Sequence, residues 1–159
     1  MAIFTVFFTA ALVMADQLLK SWAVANLSGG VSIDGIPGVL DFFLVYNDGA
    51  AFNMLGGKQT LLIVMTGVAL VALLVYLLLG KADGKLEYAA LILILSGGIG
   101  NLIDRVMNQV VVDYIRLIFM DFPVFNFADI CVCTGVGLFA LSMILSELKG
   151  RKNPDHGKA

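Results

Sequence analysis

The sequence predicts an all-α membrane protein with four transmembrane helices and a small β-hairpin outside the bilayer. Of its 159 residues, 60% are hydrophobic and only 14% are charged. The mean hydropathy is +0.95, whereas only about half of the residues of a soluble domain are apolar. Four apolar stretches match the thickness of a bilayer. The segment between the first two contains two β-rich runs punctuated by glycine and proline.

The four spans are expected at residues 3–24, 59–80, 86–106 and 127–148. The second is the clearest, because no charged residue occurs between Lys58 and Lys81. The other three carry charges within or near their ends, where functional residues of membrane proteins are expected. We interpret residues 1–150 as one integral membrane domain and residues 151–159 as a polar tail.

The first apolar run ends in Val13, Met14 and Ala15, a sequence that resembles a signal-peptide cleavage site. No basic residue precedes the run, and the hydrophobicity resumes beyond Asp16 and Lys20. We therefore expect the segment to be retained as a span.

The basic residues predict the orientation. Six lie in the loop after span two and in the tail, and four lie on the opposite side, namely Lys20, Lys58, Arg105 and Arg116. Because cytoplasmic segments are enriched in lysine and arginine, both termini are expected in the cytoplasm. Segments 25–58 and 107–126 would then be extracytoplasmic.

The first extracytoplasmic segment contains β-rich runs at about 31–36 and 39–46, which predict a small hairpin. Residues 50–55 are expected to form a short interfacial helix. A β element over the helix ends would form a platform at the membrane surface, and an ordinary loop is the alternative interpretation.

Charge and cysteine content exclude some functions. The net charge of -2 and the absence of a basic stripe argue against a nucleic-acid partner. Cys131 and Cys133 lie two residues apart in a predicted helix and point in nearly opposite directions, so a disulfide or a metal clasp between them is not expected.

Five polar clusters lie at or near the predicted outer face. They are Asp16 with Lys20, Asn47 with Asp48, Asn101 with Asp104 and Arg105, Asp113, and Asn126 with Asp129. Carboxylates at membrane depth cost several kcal/mol unless they have a partner or a function. Lys20 lies one turn beyond Asp16 and is expected to pair with it or to reach the interface.

The third cluster shares one helix face, since Asn101, Asp104 and Arg105 are spaced i, i+3, i+4. Asp104 and Arg105 are interpreted as an ion pair that fastens the helix end. Arg105 reaching a backbone carbonyl or a lipid phosphate is the alternative.

Asp113 and Asp129 have no basic residue within helical reach, and they flank the short connection between spans three and four. The connection allows the two carboxylates to meet, share one proton and act together as general base and general acid. A proton-coupled transporter or channel subunit explains the same residues, as do plain helix caps in a membrane scaffold.

The ordered motifs resemble the lipoprotein signal peptidase family, also called signal peptidase II. They are DQLLK at 16–20, NDGAAF at 47–52, GGIGNLIDR at 97–105, VVDY at 111–114 and FNFAD at 125–129. The resemblance covers nearly the whole chain. It implies an aspartic endopeptidase of the bacterial cytoplasmic membrane, with four spans, an extracytoplasmic β-cradle and an interfacial helix.

The resemblance also implies the site and the substrate. Asp113 and Asp129 correspond to the catalytic dyad of the family. Supporting positions are Asp16, Asn47, Asn101, Asp104, Arg105, Asn126 and Ala128. The substrate would be a diacylglyceryl prolipoprotein met within the membrane lipid and cut just before its lipidated cysteine. No metal or other cofactor is implied, and we expect the enzyme to act as a monomer.

Overall fold

Four long helices and three short strands make up the fold. The structure, a computed structural model, describes residues 2–49 and 57–152, with side chains up to residue 148. In chain order, the elements are α1 (Ala2–Leu27), β1 (Ser32–Ile36), β2 (Leu40–Asn47), α2 (Gln59–Leu78), α3 (Gly84–Asn108), β3 (Val111–Leu117) and α4 (Phe127–Lys152).

The predicted fold class is confirmed. All four helices are long and apolar enough to cross a membrane, and β1 and β2 form the expected hairpin. The helix expected at 50–55 lies outside the described residues. Helix α4 continues to Lys152, so the first two residues of the predicted polar tail are helical. The third strand was not predicted.

Apolar side chains cover the outside of the bundle. Val68 in α2 and Val136 in α4, for example, are 65% and 53% exposed. In a soluble protein such surfaces would be rare, but in a bilayer they face acyl chains. The exposed faces are therefore the lipid-facing faces of a multi-pass membrane protein.

Helix α3 lies at the centre of the bundle and packs most extensively on α4. Small residues permit this contact. A Cβ atom at Gly135 of α4 would lie 2.7 Å from both the carbonyl oxygen of Ala90 and the Cγ1 atom of Ile94. Close helix approach through glycine is typical of membrane proteins, in which helices associate by van der Waals packing.

The sheet has the order β1-β2-β3, and all of its pairings are antiparallel. It lies at the end of the bundle where α1 and α3 end and α2 and α4 begin. Val112 and Tyr114 of β3 are buried against Ala23 and Leu27, in the last turns of α1. This hydrophobic contact anchors the sheet to the bundle.

An ion pair joins β2 to β3 beside this core. Arg116 donates hydrogen bonds to both carboxylate oxygens of Asp41, and its guanidinium group lies 4.5 Å from the centre of the Phe43 ring. The bonds from Arg116 hold the pKa of Asp41 below its usual value. The bidentate pair thus helps to fix the register of the two strands.

Two backbone features carry the chain from α3 into α4. Gln109 has a left-handed φ of 62° and ends α3, and its N–H donates to the carbonyl oxygen of Arg105. After β3, Phe125 returns to Ile115 and exchanges two backbone hydrogen bonds with it, of 2.8 and 3.0 Å. The start of α4 is therefore fixed beside β3.

We predict that Gly135→Ala destabilises the protein by about 1–3 kcal/mol, because the new methyl group overlaps backbone atoms of α3. Gly137, on the same helix, is the matched control, because a Cβ atom there has no neighbour within 4 Å. Gly137→Ala is expected to be neutral or slightly stabilising. Thermal unfolding in detergent measures both variants. Equal unfolding temperatures would contradict the assigned packing.

Candidate active site

Asp113 lies in the middle of β3 and is 2% exposed. Its cross-strand partner in β2 is Val45. Side chains two residues apart in a strand lie on the same face, so Asn47 shares a face with Asp113. Asn47 donates a hydrogen bond of 2.9 Å from its Nδ2 atom to the Oδ2 atom of Asp113.

Asp129 lies in the first turn of α4 and takes part in a capping box with Asn126. The backbone N–H of Asp129 donates to Oδ1 of Asn126 at 2.9 Å, and the backbone N–H of Asn126 donates to Oδ2 of Asp129 at 3.0 Å. The reciprocal pair satisfies two backbone donors at the helix start. The predicted capping role therefore exists, but it uses only one oxygen of the carboxylate.

Asn126 is fully buried and connects the two aspartates. Its Oδ1 atom caps the backbone of Asp129, and its Nδ2 atom donates to Oδ1 of Asp113 at 2.7 Å. The same nitrogen lies 3.1 Å from Oδ1 of Asn101. One amide therefore holds Asp113, on the sheet, next to Asp129, on the helix.

Asn101, in α3, completes the surroundings of Asp129. Its Nδ2 atom donates to Oδ1 of Asp129 at 2.8 Å, and its own Oδ1 atom accepts a hydrogen bond of 2.8 Å from Nζ of Lys20. Lys20 also forms ion pairs with Asp16 at 2.9 Å and with Asp104 at 3.0 Å. This charged cluster of Asp16, Lys20 and Asp104 is buried directly behind the two amides.

The charged cluster also ties the helices and β3 together. Asp16 accepts a hydrogen bond from the backbone N–H of Ala128, and Asp104 accepts one from the backbone N–H of Val112, both at 3.1 Å. The Nε2 atom of Gln17 bridges Asp16 and Asp104 at 3.2 and 3.1 Å. A carboxylate of the cluster thus holds the residue before each of the two aspartates, Val112 and Ala128.

Arg105 does not pair with Asp104, because neighbouring residues of a helix point in different directions. Its guanidinium group donates instead to the backbone carbonyl oxygen of Gly49 at 2.9 Å. The interpretation of Asp104 and Arg105 as an ion pair is therefore wrong, and the alternative, that Arg105 reaches a backbone carbonyl, is confirmed. The ion-pair partner of Asp104 is Lys20.

A cavity of about 830 Å³ lies in front of the two aspartates. Helices α2, α3 and α4 and residues 122–125 line it, largely with apolar side chains. Its polar lining consists mainly of Asn47, Asn101, Arg105, Asp113 and Asp129. A large apolar pocket with a few convergent polar groups is typical of a ligand or substrate site.

Burial raises the pKa of Asp113 to about 6. The hydrogen bonds from Asn47 and Asn126 oppose the rise, and the carboxylate of Asp129 adds to it. A carboxyl group perturbed in this way, beside a second carboxyl group in a cavity, can hold a proton near neutral pH and exchange it with a bound molecule.

Comparisons with known proteins agree with this geometry. A family model described as signal peptidase (SPase) II matches residues 8–145. The chain belongs to the signal peptidase II family. It is 42% identical over 137 residues to a lipoprotein signal peptidase of Streptococcus thermophilus, covering 86% of the chain and 90% of that relative. It is 39% identical over 138 residues to a lipoprotein signal peptidase of Clostridium tetani, covering 85% and 88%.

A solved structure resembles the whole fold. The chain matches a bacterial membrane enzyme determined by the in meso method with a TM-score of 0.81 and 32% identity, covering 98% of the chain and 94% of that structure. As a signal peptidase II, the chain is a multi-pass protease of the bacterial cytoplasmic membrane. The alternative of a proton-coupled transporter or channel subunit is not favoured.

The predicted site residues of this signal peptidase II lie together. Hydrogen bonds or ion pairs connect Asp16, Asn101, Asp104, Asn126 and Asp129 in one buried network, which Asn126 extends to Asp113 and Asn47. Lys20, in the DQLLK motif, was not predicted as a site residue. Its position one helical turn after Asp16 was the signal in the sequence that could have identified Lys20. Its contact with Asn101, however, depends on the tertiary structure.

We predict that Asn126→Ser is more stable than Asn126→Ala by about 1 kcal/mol, because a serine hydroxyl can still cap the N–H of Asp129. Both changes remove the amide and its bond to Asp113, so the comparison isolates the cap. Thermal unfolding in detergent measures the difference. Equal stabilities would show that the cap does not contribute.

Proposed function

We propose that the chain removes the signal peptide from bacterial prolipoproteins as an aspartic endopeptidase, with Asp113 and Asp129 as its catalytic pair. One observation carries the proposal. Asn126 holds both carboxyl groups at the wall of a largely apolar cavity, because its side-chain amide donates to Asp113 and its backbone N–H donates to Asp129. The relatives named lipoprotein signal peptidases support the same substrate class.

The proposed reaction is hydrolysis by an activated water molecule. The ionised carboxylate of the pair takes a proton from water, while the water oxygen bonds to the carbonyl carbon of the scissile peptide. The protonated carboxyl group donates its proton to the carbonyl oxygen. Collapse of the tetrahedral intermediate transfers a proton to the leaving nitrogen and breaks the C–N bond. The products are a signal peptide ending in a carboxylate and a new amino terminus.

The reaction needs one proton on the pair, and the surroundings of Asp113 favour holding it. Its pKa of about 6 includes the effect of the Asp129 carboxylate. It therefore corresponds to the loss of the last proton shared by two interacting groups. Below this pH the pair carries the proton that the reaction needs.

The supporting residues have separate roles in this proposal. Asn47 and Asn126 orient Asp113, and Asn101 orients Asp129. Asp16 and Asp104 hold the backbone next to the two catalytic aspartates. Arg105 lines the cavity and still has donors that can reach a substrate carbonyl oxygen.

The cavity suits a lipid-modified substrate. Its walls on α2, α3 and α4 are largely apolar and belong to membrane-spanning helices. A diacylglyceryl group partitions into the bilayer with about 0.8 kcal/mol for each buried methylene, so enzyme and substrate meet in the membrane lipid. We propose cleavage just before the lipidated cysteine, which places the scissile bond near the interface.

We also propose the topology and the oligomeric state. Both termini lie in the cytoplasm, as the distribution of basic residues predicts, so the sheet and the active site lie near the outer face. A single copy acts alone, since one chain supplies both aspartates and the amides that hold them.

We predict that Asp113→Asn and Asp129→Asn each lower kcat by at least about a hundredfold, because neither variant can form the shared-proton pair. The assay follows cleavage of a diacylglyceryl prolipoprotein in detergent, with its unlipidated form alongside. Only the lipidated form should be cut.

Asp34→Asn provides the matched control, because Asp34 is exposed on β1, outside the cavity. It should cleave like the wild type. Substantial activity in either dyad variant, at unchanged thermal stability, would contradict the assignment. A folded wild type that cleaves neither substrate would contradict the proposed function itself.

We predict that Asn47→Leu moves the alkaline limb of the kcat/KM profile to higher pH. Asn47 donates a hydrogen bond to the ionised form of Asp113, so losing it raises the pKa of that carboxyl group. The last proton of the pair then persists to higher pH. Tyr46→Phe is the control, because Tyr46 is exposed and points to the other side of β2. An unshifted limb in Asn47→Leu would contradict the role of Asn47.

A further inference from the structure

Lys20 makes one contact that the charged cluster does not require. The three N–H groups of its ammonium donate to Asp16, Asp104 and Asn101, at 2.9, 3.0 and 2.8 Å. The two carboxylates already compensate the buried positive charge. The third hydrogen bond goes to a neutral amide, and that amide is a direct partner of Asp129.

Two donors fix the orientation of this amide, because the ammonium of Lys20 and the Nδ2 atom of Asn126 both donate to its Oδ1 atom. An ammonium group is only a donor, so the atom of Asn101 that faces Lys20 must be the oxygen. The NH₂ group of Asn101 must then face Asp129. A flipped amide would place NH₂ against the ammonium and an oxygen against the carboxylate of Asp129, and both contacts would be repulsive.

We propose that Lys20 is a positioning residue of the peptidase, which acts through Asn101 to keep a hydrogen-bond donor directed at Asp129. The inference rests on the proposed function, because it assigns Asp129 to the reaction. Lys20 is 3% exposed and is not among the residues that line the cavity, so it acts without touching the substrate. It couples the orientation of a catalytic carboxyl group to a charge buried behind it.

Other residues around the cluster make the contacts that join the helices. Gln17 contacts the backbone of α3 at the carbonyl oxygen of Gly100, and Asp16 holds the backbone of α4 at Ala128. Neither contact passes through Asn101. The bond from Lys20 to Asn101 can therefore be tested separately from the contacts that join the helices.

The test is a double-mutant cycle in kcat with Lys20→Met and Asn101→Leu, using a diacylglyceryl prolipoprotein in detergent. Lys20→Met should lower kcat at least about tenfold and leave KM within about twofold, because the lost interaction orients the pair and does not bind substrate. In the Asn101→Leu background, Lys20→Met should change kcat by less than about twofold.

Gln17→Leu is the matched control. It removes a neutral partner from the same carboxylates and leaves the contact between Lys20 and Asn101 in place. It should lower the unfolding temperature and leave kcat unchanged. In the Asn101→Leu background it should likewise leave kcat unchanged. This readout separates positioning from a loss of stability.

A charge-compensated variant guards against loss of folding. Lys20→Met with Asp104→Asn removes one cation and one anion, so the net charge of the cluster stays the same. In a second cycle this pair of changes takes the place of Lys20→Met and is combined with Asn101→Leu. Additive effects would overturn the proposal, because Lys20 would then act through its charge alone. Wild-type kcat in Lys20→Met would also overturn it.

The folding outcome is decisive as well. If both Lys20 variants fail to fold while Gln17→Leu folds, Lys20 is required for the fold itself and the positioning role is rejected. The inference and the proposed function fail in different ways. An active wild type with additive mutations rejects only the inference, whereas an inactive, folded wild type rejects the proposed function.

Discussion

The site depends on one fully buried amide, Asn126. Its oxygen caps the start of α4 and its nitrogen donates to Asp113 on β3, so the helix that carries Asp129 begins where the sheet presents the other carboxyl group. Two backbone hydrogen bonds between Phe125 and Ile115 position Asn126 beside β3. Without that return of the chain, the two aspartates would belong to separate elements with no fixed distance between them.

The membrane makes unpaired buried charges unfavourable, which explains why every charged group of the site has partners. Buried charges in a bilayer need partners, and Lys20 receives two carboxylates, while Asp113 and Asp129 receive amide donors on their oxygens. Amides satisfy a carboxylate without adding a permanent positive charge beside it. In the proposed mechanism, a shared proton therefore remains available to the reaction. The lysine stays behind the amides and does not pair with Asp113 or Asp129.

Much of the fold was predictable from sequence because its signals are local. Apolar length predicted the four spans, and glycine and proline predicted the hairpin. Strand β3 was missed, although the run around Val111 and Val112 is β-branched, because pairing with β2 creates that strand. The ordered motifs pointed to residues that the structure brings together, but the ion pair of Asp104 with Lys20 and the bridge formed by Asn126 required the tertiary structure. Local spacing favoured Arg105, whereas Lys20 is 84 residues away from Asp104 along the chain.

We propose that Asp113 and Asp129 form one coupled site. The most direct test is to titrate the Asp113 carboxyl group by NMR, with ¹³C-labelled aspartate in detergent, in the wild type and in Asp129→Asn. We expect a wild-type pKa of about 6 for Asp113 and a lower pKa in the variant, because the neighbouring negative charge is gone. An unchanged pKa in Asp129→Asn would show that the two carboxyl groups do not interact, which would contradict the paired mechanism.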